Sequence, residues 1–161
     1  MPRTTGTRSR LSTIVPSALA LVLGLGWAWR EVAHALEHAD GVPSQTVTLP
    51  SVAMKEFRDQ GNPVGTIGLY VSGETPASTK FVTGRFVLDP GKTPHAPHTH
   101  VEEEVMIVES GQGMIFCDGK TTRVGPGSVM FTTPNAPHGI TNTGTTPLVF
   151  YFVKWAPQPK S

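Results

Sequence analysis

The sequence predicts an all-β domain of the sandwich or barrel type behind an apolar N-terminal segment, and three observations predict it. From about Thr46 onward, short apolar runs alternate with Gly, Pro, Asn and Asp, the punctuation of strands joined by tight turns. Glycine (17) and proline (15) make up about a fifth of the 161 residues, too much for a helical bundle and below the level of a low-complexity chain. Residues 14–29 form an uncharged run rich in Leu, Val and Ala, unlike the rest of the chain.

Arg3, Arg8 and Arg10 precede that run, and Arg30 and Glu31 end it, which is the layout of an export signal. Ala33-His34-Ala35 offers a small-x-small cleavage site before Leu36, so residues 1–35 read as a signal peptide. The alternative is a signal anchor: the run is short of the ~20 residues of a membrane span, but Trp27 and Trp29 suit a membrane interface. The protein is accordingly expected in the periplasm or secreted, or else held at the membrane by this segment alone. Removing Arg3, Arg8, Arg10, Arg30 and Glu31 with the segment leaves 9 basic residues against 11 acidic, a formal charge of −2. No basic patch is left for nucleic acid. With 38% hydrophobic residues the chain can bury a core without disulfides, and its single cysteine, Cys117, reads as a packing residue.

After an N-terminal extension over residues 36–62, the barrel itself is expected over 63–156. The runs 46–49, 65–71, 80–88, 103–109, 113–117, 121–124, 128–132, 139–141 and 148–155 are read as strands from their apolar, β-branched and aromatic content, and 51–59 as one short helix. Asp118-Gly119 is a strong hairpin signal because both residues tolerate positive φ; residues 142–147 are expected to do the same job with a longer loop. The last run, Leu-Val-Phe-Tyr-Phe-Val, is apolar on both faces. A cover for its outer face is therefore expected, either the N-terminal segment folded back or a second copy in a homodimer.

Three of the five histidines after Leu36 are sited with order. His98 and His100 share a face on extended chain, Glu104 can rejoin that face on the next strand, and His138 follows a Pro134-x-x-Pro137 turn. Three imidazoles and a carboxylate converging inside a barrel form a mixed N/O set suited to one divalent transition metal, Fe, Mn, Ni, Cu or Zn, with coordination positions left open for a reacting molecule. Glu103 is an alternative carboxylate if the loop is one residue shorter, and Glu102 and Glu103 otherwise read as solvated loop acids. His95, Met106 and Asn142 are candidates to line a pocket. The parity of Glu104, Met106 and Val108 makes the walls mostly apolar, which favours a small organic substrate over a hydroxylated sugar.

The pattern Gly91-(six residues)-His98-x-His100-(three)-Glu104-(six)-Gly111 resembles the first conserved motif of the cupin superfamily. Gly119-(six)-Pro126-Gly127 and Pro134-Asn135-Ala136-Pro137-His138-(three)-Asn142 resemble the second, with a gap between the motifs as short as in small single-domain bacterial cupins. Six residues rather than five separate Gly91 from His98, and Ala136 stands where glycine is common; neither displaces a ligand. The resemblance implies a double-stranded β-helix, or jelly-roll barrel, and metal ligands at His98, His100, Glu104 and His138. It further implies a metal-dependent enzyme of dioxygenase-like oxidoreductase type, or alternatively a non-catalytic binding module, an isomerase or a lyase. No catalytic side chain beyond the ligands is marked.

Overall fold

The computed structural model describes residues 41–159; the export segment expected over residues 1–35 lies outside them. Nine strands follow one 3₁₀ turn, Leu49–Ser51, that Pro50 opens: β1 (Lys55–Asp59), β2 (Asn62–Thr75), β3 (Ser78–Leu88), β4 (Glu103–Ser110), β5 (Gly113–Cys117), β6 (Lys120–Val124), β7 (Val129–Thr132), β8 (His138–Asn142) and β9 (Leu148–Pro157). They form two antiparallel sheets, one of six strands in the order β1-β2-β3-β9-β4-β7 and one of three in the order β6-β5-β8. Alternate residues of the large sheet, including Phe86, Met106, Val108 and Phe150, meet Ile115 and Ile140 of the small sheet in one buried core. This is the jelly-roll sandwich expected.

Two expectations for the first elements are overturned. Residues 46–49 form no strand, and residues 51–59 form the end of the 3₁₀ turn and then β1 rather than a helix. The cause is tertiary. Phe57 lays its ring edge-on to Phe86 with centroids 5.2 Å apart, and Gln60 and Gly61, both at positive φ (47° and 84°), turn the chain straight back into β2. Arg58 fastens that hairpin, its guanidinium donating to Glu56 and to the Gly61 carbonyl at 2.7 Å each. Pairing and burial here outweigh the helix propensity of a Lys-Glu-Phe-Arg-Asp run. The six-stranded sheet thus begins at Lys55.

The Asp118-Gly119 turn is as expected: φ is 47° and 80°, and Cys117 pairs with Lys120 across it. Residues 142–147 instead cross between sheets, because β8 pairs with β5 whereas β9 pairs with β3 and β4. β9 is therefore a central strand with Leu148, Phe150 and Phe152 turned into the core. On its other face Tyr151 lies 6.1 Å from Tyr70, ring to ring, in a shallow groove that Gln45, Val47 and Leu49 also line. The segment before β1 supplies part of the cover that the apolar run demands.

Candidate metal centre

Two elements carry the ordered histidines. His98 and His100 lie in the loop between β3 and β4, and His138 opens β8. The loop is held by its main chain: His98 and His138 exchange N–H to carbonyl bonds at 3.0 Å in both directions, and the N–H of Asn135 donates to the His100 carbonyl at 2.8 Å. Asn135 sits at φ 62° in the turn between Pro134 and Pro137, a conformation its side chain tolerates better than most. The result is a triangle of imidazoles. Ring centroids lie 4.7 Å apart for His98–His138 and His100–His138 and 5.3 Å for His98–His100, and one nitrogen from each falls within 4.8 Å of the others.

The ring tautomers are set from behind. His100 Nδ1 donates to the Glu102 carbonyl at 3.0 Å, and His138 Nδ1 donates to the Ala136 carbonyl at 2.9 Å. With the proton on Nδ1, each ring turns a lone pair inward at Nε2. Both Nε2 atoms meet the same oxygen, Glu104 Oε2, at 2.8 and 3.3 Å. Lone pairs crowded on a carboxylate oxygen repel unless positive charge stands among them, as a proton or a metal ion. His98 adds a buried Nδ1 with no hydrogen-bond partner among the described residues. Burial above all, then the neighbouring His95, His138 and His100, lowers the pKa of His98 to about 4, so near neutral pH it is an uncharged imidazole of the kind that ligates metals. Three imidazoles beside a buried carboxylate fit a divalent transition ion.

Glu102 departs from its reading as a solvated loop acid. It is 4% exposed, one carboxylate oxygen ion-paired to Lys80 and the other 3.2 Å from His100 Nδ1. The Lys80 ammonium holds its carboxyl below the usual carboxylate range against the opposing effect of burial. The signal was in the numbering, since Glu102 shares the even parity of His100 and Glu104. Glu103 points the other way, half-buried and paired in register with Trp155.

A cavity of about 170 Å³ opens beside the imidazoles, walled by Phe57, Ile67, Phe86, Met106, Phe150 and Phe152. His95 and Met106, both anticipated near a pocket, line it, and the His95 ring stands edge-on to His98 at 4.1 Å. Asn142 does not. Its amide is fully buried and is used up on the chain, donating to the Leu88 and Thr146 carbonyls and accepting from the Gly144 N–H, all at 2.9 Å. Lys154 also lines the cavity and escaped the sequence reading, although it continues the inward register of Leu148, Phe150 and Phe152. Cys117 is half-buried, its sulfur 3.7 Å from the Phe131 carbonyl.

The cupin-domain family model matches residues 84–154, which span the histidine loop and every strand from β4 to most of β9. The chain carries a cupin domain. Solved structures resembling this cupin include a predicted oxalate decarboxylase from Thermotoga maritima, 25% identical with a TM-score of 0.59 over 70% of this chain and 99% of that one. The polyketide cyclase RemF from Streptomyces resistomycificus is 24% identical, with a TM-score of 0.57 over 73% and 83% of the two chains. An RmlC-like cupin from Shewanella frigidimarina is 13% identical, with a TM-score of 0.57 over 74% and 96%. At those identities the last two speak to the fold alone. No curated protein matches the sequence.

Proposed function

We propose that this cupin is a metal-dependent enzyme acting on a small organic molecule, with one divalent transition metal held by His98, His100, Glu104 and His138. The observation that carries the reading is the pair of backbone-fixed imidazoles whose inward nitrogens share Glu104 Oε2. Such an arrangement is preorganised for a cation, and it sits at the end of an apolar cavity rather than on open surface. A bound ion of this type supplies Lewis acidity or activates O₂.

The protein's own residues then do three things. Glu104 and the three imidazoles would hold the ion at the end of the cavity that admits the substrate. Phe86, Met106, Phe150 and Phe152 exclude water, which strengthens every charge interaction at the centre. His95, whose Nδ1 lies 3.1 Å from the Ala96 carbonyl, is placed beside His98 to accept or return a proton at Nε2. Oxidation by O₂ in the manner of a dioxygenase is the reading we favour. A decarboxylase is the second, favoured by the likeness to the Thermotoga maritima protein.

The test is elemental analysis of protein purified without chelator, alongside the His98→Ala/His138→Ala double variant. Near one Fe, Mn, Ni, Cu or Zn per chain, lost in the variant, is expected. Wild-type protein that stays empty after reconstitution refutes the reading. O₂ uptake with vicinal diphenols and 2-hydroxy acids, against CO₂ release from the same acids, then separates the oxidative reaction from decarboxylation.

A further inference from the structure

The inward face of the large sheet is organised in rows across β3, β9 and β4. Val82, Lys154 and Glu104 form one row; Gly84, Phe152 and Met106 form the next; Phe86, Phe150 and Val108 form the third. Charge is thus confined to the row level with the imidazoles, and everything deeper is apolar. One row further out, Lys80 is neutralised by Glu102.

Lys154 has no such partner. It stands directly opposite Glu104 in register, but that carboxylate turns Oε2 to His100 and His138, and Lys154 forms no ion pair among the described residues. Lys154 is half-buried, lines the apolar cavity beside a centre suited to a dication and has no anionic partner of its own among the described residues, so an anion lying between the two would satisfy both. The other walls offer aromatic and aliphatic surface and few hydrogen-bonding groups. At about 170 Å³ the cavity is also smaller than the ~300–1,000 Å³ of sites for drug-sized ligands, so its occupant has a single ring or a short chain.

We infer that Lys154 is a specificity-determining residue that captures the carboxylate of a small, otherwise apolar monocarboxylic acid, whose body reaches down between Phe152 and Met106 toward Phe86 and Phe150. The reacting end of that acid lies at the imidazoles, and to this extent the inference rests on the metal-centred reading above. The anion is shared between Lys154 and the centre; the apolar rows select what is attached to it.

The experiment is calorimetric titration of the full chain with benzoate and hexanoate, with their neutral counterparts benzamide and hexanamide, and with gluconate as a hydroxylated acid, the metal content of each sample being measured. Wild-type protein is expected to prefer each acid over its amide by about tenfold or more, the size of one charge-assisted contact, and to bind gluconate more weakly than hexanoate. Lys154→Met should bring acid and amide to within about threefold of each other with metal content unchanged; Lys154→Gln serves if the Met variant does not fold by circular dichroism. Equal binding of acid and amide by the wild type, an undiminished preference in the variant, tighter binding of gluconate, or no binding of either acid each overturns the inference. Wild-type protein that stays metal-free after reconstitution yet keeps a Lys154-dependent preference sinks the metal-centred reading and leaves this one standing.

Discussion

The main chains of His98 and His138 bond to each other twice, each N–H to the other's carbonyl at 3.0 Å, although one residue belongs to a loop and the other to β8. The relative position of these two imidazoles is therefore a property of the backbone, and removing either ring leaves the frame intact.

Single replacements His98→Ala and His138→Ala should each weaken metal binding more than about a hundredfold, beyond the usual loss from an outer partner, while melting within a few degrees of wild type when metal-free. Competition with a chromophoric chelator reads the first quantity and circular dichroism the second. Wild-type affinity in either variant would remove that residue from the centre.

Glu102 braces His100 from behind, with Lys80 as its counter-ion. Glu102→Gln should therefore lower metal affinity by about 10–100-fold, the range for partners that orient a ligand, and Lys80→Met should lower it less, because Lys80 acts through Glu102. An unchanged affinity in Glu102→Gln would show that the Glu102 carbonyl alone fixes the ring.

Much of the site was legible in the sequence because strand parity is a strict rule. It put His98, His100 and Glu104 on one side, and the Asp118-Gly119 turn came out where positive φ required it. What parity could not show was partnership. Glu102 has the same evenness as its neighbours, but only the neighbouring row in β3 reveals that Lys80 waits to neutralise it. Lys154 likewise looks like an ordinary charge near a strand end until β4 is laid beside β9. Residues 51–59 failed for a related reason: the ring of Phe86 that holds Phe57 in a strand lies about thirty residues away. Asn142 ends the second motif and invites a place at the pocket, yet three main-chain bonds from its neighbours claim its amide.

Acid should unfold the metal-free protein through His98. Its folded pKa of about 4 lies below the unfolded value of 6.5, so between these limits the unfolded chain binds the extra proton and stability falls as pH falls; above pH 6.5 this residue adds no pH dependence. Melting temperatures of chelator-treated protein from pH 7.5 to pH 4 should show the decline, and His98→Gln should flatten it. An identical decline in the variant would assign it to other groups.

Asn142→Ala should cost roughly 2–4 kcal/mol, since it strands the buried Leu88 carbonyl and also removes the partner of the Thr146 carbonyl and the Gly144 N–H. Urea melts measure this. The metal content per chain should stay that of the wild type, because the residue ties down β3 and the β8–β9 crossover and touches no imidazole. A loss under about 1 kcal/mol would mean water replaces the amide.

The row pattern of the large sheet also bears on how such a protein changes over generations. On the function proposed above, the outer row brings Glu104 and Lys154 to the centre, whereas the Gly84–Phe152–Met106 row would set how far a guest can descend; an added Cβ at Gly84 would stand 2.5 Å from the Phe152 ring. Because these duties would fall on different rungs of the same strands, mutation of the inner rung could redraw the menu of accepted molecules without disturbing the proposed centre, and a single scaffold could supply a lineage that shares chemistry and differs in diet.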